Sequence, residues 1–269
     1  MTTQPEGSAL RRNNVHVTGR GERALVLAHG FGIDQTSWHK VVPAFESDYR
    51  IVLFDHVGAG GSDLSAYSPR RYQTMNSYAD DLLELLAELD VRDVVFVGHS
   101  MSSMVGLLAA TSEPERFGKL ILLNCSPRYI NDGDYFGGFE QAEVDGLHET
   151  MAANFQAWAA GSASMIMGNP ERPELAVEFA QSLSSMRPDI GVSISRMIYR
   201  TDVRDLLGGL TQDTLIVHSR DDIVVPRQVS EYLVQHIPNA QLASIDASGH
   251  LPHMSAPGAI IAAIQAFLG

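Results

Sequence analysis

The sequence predicts an α/β protein with a mostly parallel central sheet, helices on both faces and one helical insertion. Three observations predict it. Short apolar runs recur through the first half, at residues 24–28, 50–54, 93–97 and 119–123, each ended by turn residues. They do not alternate apolar with polar, which is the pattern of strands covered on both faces. Helical stretches lie between them, clearest at 72–89, where Met75, Leu82, Leu85, Leu86 and Leu89 mark an apolar face. Strands alternating with helices build a parallel sheet flanked on each side.

The pattern changes after Cys125. From Ser126 to about Asp205 there is no convincing strand, only amphipathic pieces cut by Asn131-Asp132-Gly133, Gly137-Gly138, Gly168-Asn169-Pro170 and Arg187-Pro188. Alternation then resumes with strands at 214–218 and 242–245 and helices at 227–236 and 257–268. The expected organisation is a core of residues 1–125 and 206–269 with a helical lid, 126–205, inserted in it. Such an insertion is placed to lie over the carboxyl ends of the strands, where open α/β sheets bind ligands.

The stretch V-F-V-G-H-S-M-S-S-M-V-G (95–106) reads as strand, tight turn and helix, with Ser100 at the turn. A serine hydroxyl becomes a nucleophile near neutral pH only beside a base that an acid orients. Both partners follow in the order Ser, Asp, His, each just beyond an apolar run. Asp222 is preferred over Asp221 and Asp246 because it stands nearer the apolar turn I-V-V-P. His250 is preferred over His253 because Ser248-Gly249 before it let a loop approach the nucleophile. The developing oxyanion needs two N–H donors. One is expected from Met101, after the nucleophile, and one from Phe31 in L-A-H-G-F-G (27–32). These roles predict a serine hydrolase acting on a small ester or lactone.

Other motifs are read as structural. His29 is expected to be a buried imidazole, His99 to pack behind the turn, and Cys125 to be a small buried residue. The ten histidines are scattered without metal-ligand spacing, so neither metal nor cofactor is expected. The glycines of V-G-A-G-G-S-D (57–63) miss the dinucleotide pattern, whose sixth place is here Asp63. A net charge of −13 would repel nucleic acid and anionic membranes. One cysteine fits a reducing compartment, and residues 1–14 have no apolar core of a signal peptide. A cytoplasmic protein is the expectation.

Six segments together carry a resemblance over nearly the whole sequence. They are H-G-F-G-I-D-Q-T-S-W (29–38), F-D-H-V-G-A-G-G-S-D (54–63), Y-Q-T-M-N-S-Y-A-D-D (72–81), G-H-S-M-S-S-M (98–104), S-P-R-Y-I-N-D-G-D-Y-F-G-G-F-E (126–140) and G-H-L-P-H-M-S (249–255). The sequence resembles the small α/β-hydrolases that include the bacterial stress regulator RsbQ and the plant karrikin and strigolactone receptors. The resemblance implies the α/β-hydrolase fold, with a lid of four helices in two V-shaped pairs over an apolar cavity. It implies Ser100, Asp222 and His250 as the triad, Phe31 and Met101 as oxyanion donors, and Phe139 and Tyr199 in the lid pocket. It also implies a small hydrophobic ester or lactone ligand and slow turnover. For an RsbQ-like regulator it implies a sensor-domain serine phosphatase as partner. The sequence departs at Ser162 and Ser184, which match pocket phenylalanines of the plant receptors and imply a roomier or more polar cavity. The elbow has Ser102 where glycine is usual, as in the plant branch. On a steric account Ser102 is simply small enough, and glycine there would serve as well.

Overall fold

The computed structural model describes residues 8–269; residues 1–7, the first half of the N-terminal stretch weighed as a signal peptide, lie outside the described residues. Seven strands form one sheet: β1 (His16–Thr18), β2 (Ala24–Ala28), β3 (Arg50–Phe54), β4 (Val94–His99), β5 (Phe117–Leu123), β6 (Asp213–Asp221) and β7 (Ala240–Ser248). Their order is β1-β3-β2-β4-β5-β6-β7, with only β1 antiparallel to its neighbour. The expected α/β architecture is therefore present. Strand side chains point to alternate faces, and here each set meets its own core. Val26, Val52, Phe96 and Leu122 pack on one face, while Leu25, Ile51, Val97 and Ile121 pack on the other. Burial on both faces is why these strands read as unbroken apolar runs. β1 escapes the sequence pattern: it has three residues and its side chains are largely exposed at the sheet edge.

The helices are α1 (Ala9–Arg12), α2 (Asn76–Glu88), α3 (Met101–Ser112), α4 (Gln141–Ala153), α5 (Phe155–Met167), α6 (Pro173–Ser185), α7 (Pro188–Arg200), α8 (Arg227–His236), α9 (Pro252–Ser255) and α10 (Pro257–Leu268). On one face pack α2, α3 and α8, through Leu85, Val105 and Leu233 among others. The second face is covered by α10, through Ile260 and Ile264, and by the Trp38–Phe45 segment. Four helices, α4 to α7, stand between β5 and β6, and their ends follow local chemistry. The Asn154 carboxamide caps α5, Gly168 closes it at φ +63°, and Pro173 and Pro188 open the next two. No helix among the described residues is long and apolar enough to cross a membrane.

Two polar features lie inside this frame. Asp81 of α2 is 2 % exposed and accepts from Arg12 at 2.9 Å, Arg71 at 2.6 Å and the Tyr72 hydroxyl at 2.8 Å, tying α1 and the loop before α2 to that helix. Below the carboxyl ends of the strands lie His29, His56, His99 and His253, all essentially without solvent contact. Burial disfavours the imidazolium and lowers all four; His99, further opposed by His250, is pushed down to about 3.

Asp81→Asn should lower unfolding stability by about 1–3 kcal/mol, since it removes the charge that both guanidiniums bind and replaces one acceptor oxygen by a donor; urea midpoints measure this. The histidines predict acid sensitivity. In the unfolded state they protonate near pH 6.5, and in the fold only at lower pH. The unfolded state then binds more protons below pH 6.5, so stability falls on acidification. Each buried histidine contributes on the order of 1.4 kcal/mol per pH unit in that window. Urea midpoints should drop steeply between pH 7 and 5, and a flat profile would contradict the assignment.

Candidate active site

Ser100 ends β4 at the point where the backbone turns directly into α3. Its conformation has φ +54° and ψ −121°, which costs a non-glycine residue about 1–3 kcal/mol. Its N–H is held by Leu123 C=O at 2.9 Å and its C=O by Ser103 N–H at 3.0 Å. Strand and helix approach so closely that a Cβ on Gly98 would fall 2.7 Å from Ser103 N and 2.8 Å from Ser102 C. Glycine is required at 98, whereas Ser102 accommodates its side chain.

The structure brings Ser100, His250 and Asp222 into one hydrogen-bonded series. Ser100 Oγ lies 2.8 Å from His250 Nε2, and His250 Nδ1 lies 2.8 Å from Asp222 Oδ2. A carboxylate accepts, so Nδ1 carries the proton and Nε2 is free to accept from Ser100. Asp222 also accepts from Val224 N–H at 2.8 Å, Val225 N–H at 3.2 Å and Asn124 Nδ2 at 2.8 Å. Burial pushes its carboxyl up, but His250 and the two backbone N–H groups outweigh it and hold the group below its ordinary value. Asn124 is a polar residue at the end of a buried strand, in positive φ, and also bonds Ser219. Sequence reasoning passed over it; its signal was an asparagine closing the run before Cys125.

The rivals stand elsewhere. Asp221 and Asp246 are exposed and pair with Arg220. His253 is fully buried, with its ring 4.4 Å from that of Trp38 and no polar partner for either nitrogen among the described residues. His99 Nε2–H donates to His250 C=O at 2.7 Å, beneath the base. Cys125 is buried, and desolvation pushes its thiol up to about 12.

The His250 loop leans on the insertion. His250 N–H donates to Ile166 C=O at 2.9 Å, and Asn169 Nδ2 to Ser248 C=O at 2.9 Å. Gly249, at φ +87°, passes so near α5 that a Cβ would lie 1.8 Å from Met167 O.

Met101 is the first residue of α3 and is buried. Phe31 follows Gly30, where a Cβ would sit 2.5 Å from His99 Nδ1 and 3.1 Å from Ser100 Cβ. His29 Nδ1–H donates to Gly30 C=O at 2.8 Å. That carbonyl belongs to the same planar trans peptide as Phe31 N–H, so turning it toward His29 turns the N–H to the opposite side.

Above Ser100 lies an apolar cavity of about 90 Å³, enough for roughly half a dozen waters. Phe31, Tyr129, Trp158, Phe179, Leu183 and Ile198 form much of its wall, with Ser100, His250, Tyr199 and Ser195. The Ser195 hydroxyl lies 3.2 Å from His148 Nε2. Phe139, Ser162 and Ser184, expected in the pocket, are not among the residues that line this cavity. Phe139 packs edge-on behind Tyr199, with ring centres 5.6 Å apart. Ser162 folds its hydroxyl back onto Trp158 C=O at 2.8 Å. Ser184 is one residue past Leu183, which takes the wall position on α6. Trp158 and Phe179 are the aromatic rings that α5 and α6 contribute to the wall. Among the described residues no group of three or more His, Cys, Asp or Glu is arranged to hold a metal.

Comparison with known proteins agrees with this fold. The sequence is 44 % identical over 251 residues to a protein of Oryza sativa subsp. japonica named as a probable esterase, covering 93 % of each. It is 42 % identical over 245 residues to strigolactone esterase D14 of Arabidopsis thaliana, covering 91 % of each, and 41 % identical over 250 residues to karrikin insensitive 2 receptor CA of Petunia hybrida, covering 93 % of each. Among solved structures, a hydrolase from Oleispira antarctica, olei00960, superposes with a TM-score of 0.93 at 35 % identity, over 97 % of this protein and 96 % of that one. Residues 23–257 match the family model described as the alpha/beta hydrolase fold. The protein belongs to the alpha/beta hydrolase fold family.

Proposed function

We propose that the protein hydrolyses small esters or lactones with Ser100 as nucleophile, His250 as base and Asp222 as the acid that orients it. The observation that carries this reading is the unbroken run of hydrogen bonds from Asp222 through His250 to Ser100. His250 Nε2 takes the hydroxyl proton as Oγ attacks the carbonyl carbon. Asp222 stabilises the imidazolium that forms. The N–H groups of Phe31 and Met101 receive the oxyanion. The imidazolium then protonates the leaving alkoxide, and a water activated by His250 releases the acid. The segment 126–205 serves as a lid, with Tyr199 on its inner wall. The esterase names of the rice and Arabidopsis relatives support the bond type. A small apolar cavity supports a compact, weakly polar substrate.

A second reading is favoured by the receptor name of the petunia relative: slow turnover in the service of signalling. In that reading a ligand-occupied protein engages a partner, for which a sensor-domain serine phosphatase is the proposed candidate. Capture of such a phosphatase only in the presence of ligand would distinguish it from a metabolic esterase.

On p-nitrophenyl acetate, Ser100→Ala should lower kcat by about a thousandfold or more, and Asp222→Asn by about 10³–10⁴-fold through loss of the correct imidazole tautomer. Circular dichroism should show both folded; undiminished turnover by Ser100→Ala overturns the assignment. The cavity predicts selectivity for short acyl groups. kcat/KM for the acetate should exceed that for the octanoate by about tenfold or more, because the longer chain outgrows a cavity of about 90 Å³ walled by Trp158 and Phe179.

A further inference from the structure

The fifth residue of the elbow carries a hydroxyl that a purely steric account leaves idle. Ser102 is wholly buried in the first turn of α3. Its Oγ donates to the backbone carbonyl of His29, just beyond β2, and lies 2.6 Å from His56 Nε2, just beyond β3. A hydroxyl has one proton and a carbonyl only accepts, so His56 donates through Nε2–H. Its Nδ1, bare in that tautomer, has no polar partner among the described residues. His56 also gives its backbone N–H to His29 Nε2 at 3.1 Å. Its ring is wedged edge-on by Phe54 and Tyr78, with centres 5.1 and 5.3 Å away.

One hydroxyl thus joins three segments that the sheet no longer holds. The β2–β4 register ends at Ala28 opposite Gly98, and both oxyanion donors lie past that pair. Met101 N–H is one residue before Ser102. Phe31 N–H is two residues beyond the carbonyl that Ser102 binds, in a peptide already turned by His29. We propose that Ser102, steadied by His56, is a positioning residue that sets the spacing between the two oxyanion donors. This rests on the reading of Ser100 given above. Glycine at 102 would let the turn close but would leave a buried carbonyl and an imidazole N–H unpaired, with the Phe31 loop free to drift from α3. Misplacement of a reacting or stabilising group by about 1 Å costs up to about 100-fold in rate.

The test uses active-site-titrated protein, p-nitrophenyl acetate and phenylboronic acid, which forms a tetrahedral adduct on the nucleophile. Ser102→Ala and Ser102→Gly should each lower kcat about 10–100-fold, with KM changed by no more than about twofold, and should weaken boronate binding by a similar factor. His56→Leu should do the same, and His56→Gln, which can still offer an N–H, should recover most of that loss. Ser102→Ala/His56→Leu should be no worse than Ser102→Ala alone, because that substitution already removes the hydroxyl that His56 binds. If Ser102→Ala lowers only the melting temperature, with kcat and boronate affinity intact beside an inactive Ser100→Ala, the positioning role is overturned and the Ser100 reading stands. Turnover by Ser100→Ala overturns that reading first. Should the substitutions prevent folding, ¹⁵N NMR of the unsubstituted protein decides: His56 protonated at Nε2 supports the proposal, and protonation at Nδ1 overturns it.

Discussion

The site depends on how tightly β4 is pressed against α3. At Gly98 the two backbones leave no room for a single carbon atom, so strand can give way to helix only through one residue in an unfavourable conformation. Ser100 is that residue, and the sheet holds it there through Leu123. In that conformation its hydroxyl reaches His250 Nε2 at 2.8 Å. Neighbouring parallel strands then end at the same level, so the loops after β2, β6 and β7 deliver the other groups to one spot. A twisted parallel sheet buried on both faces is rigid enough to carry such strain locally, because its stability is spread over two extended cores.

Chemistry within the histidine-rich floor is divided by environment. His29, His56, His99 and His253 are sealed among apolar side chains and stay neutral, acting as fixed donors or acceptors or as packing. His250 differs in having a carboxylate behind it and a hydroxyl in front. Asp222 remains charged although buried, because three protein N–H groups and the imidazole surround it. The same residue type is therefore placed as scaffold or beside a hydroxyl and a carboxylate within a few ångströms, and only the partners differ.

Much of this was legible in the sequence, for a physical reason. Strands buried on both faces are apolar along nearly their whole length, so 24–28 and 50–54 announce themselves at their true limits. The elbow, the oxyanion loop and the two later loops are each anchored to the end of such a run. β1 was not legible, because three largely exposed residues at an edge are too few to carry a pattern. The helix expected from Tyr72 begins at Asn76, since the Tyr72 hydroxyl is drawn to Asp81 instead of extending a helical face. Ser162 and Ser184 came from the resemblance, and neither lines the cavity above Ser100, since side-chain direction on a helix depends on how the helices pack. Asn124 and the Ser102–His56 link were missed for a related reason: their meaning lies in contacts between segments far apart in sequence.

The seam between the His250 loop and α5 has a consequence for how this architecture can be varied. Ile166 C=O, Met167 and Asn169 are as much part of the seat of the base as any strand is. The insertion is thus not a detachable module. Exchanging it for another of equal length, or deleting it to leave a closed sheet, would remove the acceptor of the His250 amide and the surface against which Gly249 is shaped. In recombination between such proteins, α5 and the loop carrying His250 must travel together.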